Sequence, residues 1–180
     1  MSKGYSGLFN GTKGAMLAVP GEAVFESYVL TPQGVKDYSY FRNIAKRSDV
    51  DANGIYDVVA HGLPDKIQIE HNGVNMLIDS RTLAHLLKID NRYGRKQSIR
   101  LLSCNTGTDI NGFAQNLANK LNVTVYAPTN IVWAYPSGRH IVAPRLSNDP
   151  SSPLYKYPDE RKSKRGKFIP FTPGGNKNGR

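Results

Sequence analysis

Two residues of this chain have types and settings suited to covalent chemistry: the single cysteine, Cys104, and His61. A thiolate attacks carbonyl carbon well. An imidazole beside it takes the thiol proton and later returns it to a leaving amine. The segments that deliver the two residues match. Residues 55–61, IYDVVAH, and 98–104, SIRLLSC, are short and nearly all apolar up to the reactive residue. This is the pattern of strands buried on both faces of a parallel sheet. Ligands of such sheets bind beyond the carboxyl ends of the strands. As neighbours, these two strands would bring imidazole and thiol to one edge. Gly62 leaves the flank of the histidine open, and the amides of Gly62 and Cys104 are the natural pair of oxyanion donors. The plainer alternatives are a core histidine bonded to a backbone carbonyl and a cysteine packed as a small hydrophobe.

Around this pair the chain alternates strands and helices. GEAVFESYVL (21–30) alternates loosely and predicts a strand or two. Val35, Tyr38, Phe41, Ile44 and Ala45 fall at helical spacing over 35–47. KIQIE and VNMLI flank His71-Asn72-Gly73, and Asn-Gly between alternating segments predicts a hairpin. Ser80 is placed to cap a helix running to Ile89 with Leu83, Leu86 and Leu87 on one face. Asn111 is placed to cap a second helix over 112–121, with Gly107 allowing the turn from strand to helix. VTVYAP (123–128) predicts a third strand. NIVWAY and RHIVA flank Pro136-Ser137-Gly138 in a second hairpin. The expected fold class is α/β: a mostly parallel sheet flanked by helices, with accessory β-hairpins.

Composition bounds what this scaffold can do. The chain has 180 residues, enough for one core without staples. One cysteine excludes an internal disulfide and a four-cysteine zinc site. His61, His71, His85 and His140 form no His-x-x-x-His pair, and there is no Gly-x-Ser-x-Gly elbow or P-loop. No apolar run approaches 18 residues and no leader pattern opens the chain, so no membrane partner is expected. The net charge is +10, and residues 156–180 hold eight Lys/Arg against Asp159 and Glu160, or +6 of it. This divides the chain into a Gly-rich lead-in (1–34), a core domain (35–155) and a basic, Pro/Gly-rich arm (156–180).

VVAHG followed 43 residues later by LLSCNTG resembles the caspase-like cysteine peptidases. The clan includes caspases, gingipains, CHAT proteases and the self-cleaving domains of large bacterial toxins. The hairpin after His-Gly looks most like the toxin self-processing group, and Cys-Asn-Thr-Gly is similar to the CHAT proteases. The likeness covers about residues 55–135. It implies a caspase-hemoglobinase fold, His61 as acid/base, Cys104 as nucleophile, and oxyanion donors at the Gly62 and Cys104 amides. Substrate contacts are implied at Asn105, Thr106 and Trp133. No acidic third member is placed: Asp57 shares the face of His61 but lies four residues away along the strand. No cofactor is needed for the chemistry. The toxin group implies an inositol phosphate activator, for which Lys66, Arg92, Arg95, Lys96, Arg100, Arg139, Arg145 and the tail are candidates. A detached toxin module implies a protein substrate and a cognate acidic immunity protein. It would act in the cytoplasm of the producing or target cell, or be secreted as part of a larger toxin. The alternatives are a basic nuclease toxin, with His61 or His71 as acid/base, and a binding module without catalysis.

Overall fold

The computed structural model describes residues 21–90 and 92–175. In chain order its elements are β1 (Glu22–Val24), β2 (Val29–Leu30), β3 (Lys36–Asp37), α1 (Ser39–Ile44), β4 (Tyr56–Val59), β5 (His61–Gly62), β6 (Ile67–His71), β7 (Val74–Ile78), α2 (Ser80–Ile89), β8 (Ile99–Leu102), α3 (Phe113–Leu121), β9 (Val125–Pro128), β10 (Ile131–Ala134), β11 (His140–Ala143) and β12 (Phe168–Phe171). The main sheet has the order β1-β4-β8-β9-β12. Its first four strands are parallel, and β12 runs antiparallel to β9. The mixed α/β class with a mostly parallel sheet is therefore as the sequence indicates.

Strand alternation divides the side chains between two layers. Tyr56, Val58, Ala60, Ile99 and Leu101 point to a core shared with Leu83 and Leu87 of α2 and Leu117 of α3. Val59 and Leu102 point the other way, against Phe41 and Ile44 of α1 and Ala134 of β10. Each such large side chain buried in full stabilises the fold by about 1.5–3 kcal/mol. α2 and α3 thus cover one face, while α1 and the β10–β11 hairpin cover the other.

The Asn-Gly hairpin forms as expected. Asn72 and Gly73 both take positive φ (50° and 77°), which suits the twist of β6 and β7. β5 adds to this hairpin as a third antiparallel strand, so His61 and Gly62 sit where the parallel sheet hands over to the hairpin.

Five expectations need correction. The helix over 35–47 shortens to α1, because Lys36 and Asp37 pair with β2 instead. Asp37 Oδ1 accepts from Ser39 N–H at 2.8 Å in the turn that leads into the helix. α2 is capped by Asp79, which accepts from Thr82 N–H, and Ser80 is its first helical residue. α3 starts at Phe113 after Gly112 with no side-chain cap, and Asn111 lies before it. The arm over 156–180 is not a free tail, since β12 closes the sheet edge and Phe171 enters the core. Likewise, part of the 1–34 lead-in belongs to the domain through β1; residues 1–20 lie outside the described residues.

Among the described residues, no helix is long and apolar enough to cross a membrane.

Candidate functional site

β4 and β8 are paired neighbours, with Val59 opposite Leu102. Two residues further along each strand, His61 and Cys104 fall level and on the same face. Adjacent strands lie about 4.8 Å apart, so residues at level positions stand side by side. The approach is close enough that a side chain at position 62 has no room. A Cβ on Gly62 would lie on the Cys104 carbonyl oxygen and 2.9 Å from the Cys104 nitrogen. The backbone segments that carry His61 and Cys104 are thus brought together at the carboxyl edge of the sheet.

The histidine ring is held by hydrophobic contact. Phe41 meets it edge-on at 5.0 Å between centroids, and Tyr40 lies at 5.8 Å. Tyr40 is itself fixed by its hydroxyl, which donates to the Leu102 carbonyl at 2.7 Å. Nε2 of His61 is buried and has no hydrogen-bond partner among the described residues. Burial lowers the pKa of the imidazole, and the negative charge of Asp37 partly opposes this. Asp37, Tyr40 and Phe41 were not singled out by sequence. Asp37 is hidden in a two-residue strand, and the aromatics read as ordinary helix core.

Cys104 is half-buried. Its Sγ accepts from Val132 N–H at 3.3 Å and lies 3.8 Å from the Val132 carbonyl. Burial raises the thiol pKa, and the Val132 amide and the Arg145 guanidinium pull it part of the way back. The resting pair is consequently a neutral thiol beside a neutral imidazole, not a preformed thiolate.

The two expected oxyanion donors are the Gly62 and Cys104 amides, and the Cys104 amide hydrogen-bonds the cysteine's own thiol. Leu63 N–H donates to the Lys66 carbonyl, making that pair a bonded rung of the antiparallel ladder. Bonded and non-bonded rungs alternate, so Gly62 opposite Ile67 is a non-bonded rung. Its N–H points away from β6, on the side of Cys104. The Cys104 N–H reaches no carbonyl of another described residue.

The loop after Cys104 is held by hydrogen bonds within the protein. Asn105 adopts a left-handed φ of 62°, and its N–H donates to the Asn130 carbonyl. Asn105 is half-buried. Thr106 does not fit the substrate contact expected of it. It is fully buried, with its hydroxyl donating to the Ser103 carbonyl at 2.9 Å, so it braces the loop and faces no ligand. Gly107 has no positive φ; it is required because a Cβ there would sit 2.7 Å from the Ala127 carbonyl oxygen. Trp133 is half-buried on β10, next to Val132, and its Nε1 donates to the Ala143 carbonyl.

Asp57 is committed elsewhere. It accepts from Arg100 at 2.7 Å and from Arg47 at 3.0 Å, and Arg47 also pairs with Glu22. It has no role at His61. The cations proposed for an activator do not converge: Arg100 is held by Asp57 and Asp49, Arg92 by Asp90, and Arg139 by Glu160. A cavity of about 590 Å³ beside Lys46, Arg139 and His140 also holds the Asp49 carboxylate. Of the three Lys/Arg that line it, Arg47 and Arg139 are already paired with carboxylates. His71 contacts Asn72 in its turn, and His85 is exposed on α2. Among the described residues no group of three His, Cys, Asp or Glu is placed to hold a metal.

The family described as Domain of unknown function (DUF8616) matches residues 28–142, which include His61 and Cys104. The chain is 28% identical over 87 residues to YibJ, an uncharacterized protein of Escherichia coli (strain K12). That segment is 46% of this chain and 36% of the relative, so the match spans about a third of the relative's length. No solved structure matches.

Proposed function

We propose that this chain, which belongs to the DUF8616 family, is a cysteine peptidase with a His61–Cys104 dyad. The observation that supports the reading is the close approach of the His61-Gly62 and Cys104 backbones at the carboxyl edge of adjacent parallel strands, with Nε2 of His61 buried and unpartnered among the described residues. Burying polar groups without partners is costly. A site that leaves an imidazole nitrogen unpaired next to a nucleophile is organised for a ligand that completes it.

The chemistry follows from the neutral resting pair. A peptide carbonyl settles against the Gly62 and Cys104 amides. His61 takes the Sγ proton as sulfur bonds to the carbonyl carbon, and the carbonyl electrons move onto oxygen. The intermediate collapses, the C–N bond breaks, and the imidazolium gives its proton to the departing amine. Water then attacks the thioester, losing a proton to His61. The carboxylate product leaves, and the sulfur regains its proton. No metal or cofactor enters these steps.

The parallel sheet with a His-Gly strand beside a Cys strand also supports a caspase-hemoglobinase-like fold, extended here by β12. An effector or self-processing module of a bacterial toxin is the context we infer. The exposed cations Lys162, Lys164, Arg165 and Lys167 then form the face for an acidic neutralising partner.

The test is incubation of wild type and Cys104→Ala with a proteome and with themselves, followed by mapping of new N-termini. Termini present with wild type and missing with Cys104→Ala are the expected result. Equal termini from both would remove the peptidase reading.

A further inference from the structure

Among the described residues Asn-Gly occurs at Asn53-Gly54, Asn72-Gly73 and Asn111-Gly112. In this dipeptide the glycine amide nitrogen is able to close on the asparagine Cγ, since no side chain on the glycine obstructs the approach. The nitrogen must be free to move, and the fold treats the three differently. Gly54 N–H donates to the Asp51 carbonyl at 3.1 Å, and Gly112 N–H to the Asp109 carbonyl at 3.0 Å. Gly73 N–H makes no hydrogen bond to a described residue. Asn72 and Gly73 are also exposed at the hairpin tip, and a Cβ built on Gly73 would meet no atom.

Asn72 has a proton carrier beside it. Its Nδ2 donates to Nε2 of His71 at 3.3 Å. An imidazole is the side chain suited to relaying a proton at neutral pH. The contact is local to the turn: His71 closes β6, and its partner across the hairpin is Val74.

We propose that the fold makes Asn72 a site of self-modification, at which the turn loses ammonia with His71 as proton carrier and becomes aspartate or isoaspartate. The Gly73 nitrogen bonds to Cγ of Asn72, its proton passes through water to Nε2 of His71, and the carbonyl electrons move onto Oδ1. The electrons return, the Cγ–Nδ2 bond breaks, and the imidazolium gives the proton to Nδ2, which departs as ammonia. Water then adds to one carbonyl of the succinimide and opens its bond to nitrogen. Opening at Cγ gives aspartate and places a negative charge on the tip. Opening at the main-chain carbon gives isoaspartate, which also adds a methylene to the backbone. A two-residue loop sets the register of its hairpin, so this second product strains the pairing of β6 with β7.

The experiment incubates the folded wild-type chain at neutral pH and follows it by mass spectrometry after a short tryptic digest. The peptide from Ile67 to Arg81 is compared with those that carry Asn53 and Asn111. Fragment ions place the mass gain of an amide turned to an acid, and an isoaspartate-specific methyltransferase reports the second product. Asn72 should convert about 3- to 10-fold faster than Asn53 or Asn111, the factor expected from one backbone hydrogen bond. His71→Gln should slow Asn72 at least about 3-fold and leave the other two unchanged. In urea the bonds of Gly54 and Gly112 are lost, and the three rates should converge. Asn72 converting no faster than the others in the folded chain overturns the site. An unchanged rate in His71→Gln overturns the part given to the imidazole. A ranking that survives in urea arises from the sequence and not from the fold, and overturns the proposal as well. The comparison within wild type needs no variant to fold.

Discussion

Two sites on the same face of the same two strands are built in opposite ways. At one, Asp57 and Arg100 stand level on β4 and β8, and Arg47, Glu22 and Asp49 complete a buried network in which each charge meets an opposite one. At the other, four residues on, His61 and Cys104 stand level, and burial drives both toward neutrality. The first site is internally complete. The second leaves Nε2 of the imidazole without a partner among the described residues. Titratable groups in a shared sheet therefore do not mark a reactive site by burial alone. What separates the two is whether the protein itself supplies the partners.

Substitutions at the reactive end should separate activity from stability most sharply. Cys104→Ala should abolish cleavage, and His61→Gln should lower it about 10²- to 10⁴-fold, the usual range for losing a positioned acid/base. Both should shift unfolding by less than about 1 kcal/mol relative to wild type. Peptide hydrolysis and urea denaturation on the same samples check this. A large stability loss with cleavage retained would make the reactive end a second structural network.

The charged end should do the reverse. Asp57→Ala leaves Arg47 and Arg100 short of a buried counter-charge and should cost about 3–5 kcal/mol, read as a lower urea midpoint. Below that midpoint, per-molecule cleavage should stay near wild type. Gly62→Ala couples the two properties. Its Cβ collides with the Cys104 backbone, so it should cost about 1–3 kcal/mol and also depress cleavage, because it moves the nucleophile loop.

The parts legible in the sequence are those in which local pattern and tertiary role agree. The strands at Tyr56–Val59 and Ile99–Leu102, their parallel pairing and the Asn72-Gly73 turn all follow from apolar runs and turn chemistry that nothing later contradicts. The rest depends on partners remote in sequence. β12 is masked because Phe168–Phe171 contains a proline and follows a run of cations, and only its pairing with β9 makes it a strand. Arg145 looks like any surface cation until Trp133 and Tyr155 are seen around it. Thr106 reads as a ligand contact by its place beside Cys104, yet the loop turns its hydroxyl inward onto Ser103. Asp57 shares a face with His61 and still belongs to Arg100, since the level position on the neighbouring strand outweighs the distant one on its own.

The smallest expected effect is in the pH dependence, and it acts on both limbs. His61 is lowered from 6.5 by burial, and so is His140 at the charged end. As pH falls through 6.5 the unfolded chain takes up protons that these folded imidazoles resist, so stability declines with acidification. His61→Gln should remove part of that decline and leave the share of His140. Cys104 is raised from 9.0 by burial. As pH rises past 9 the unfolded chain loses the thiol proton first, so stability declines there as well, and Cys104→Ala should flatten that limb alone. Iodoacetamide labelling of the folded wild type should accordingly gain rate with a midpoint above 9. Urea midpoints measured between pH 5 and 10 on the three proteins resolve the contributions. A labelling midpoint well below 9 would mean that a thiolate is already stabilised at rest, and the open end would then carry charge as the network end does.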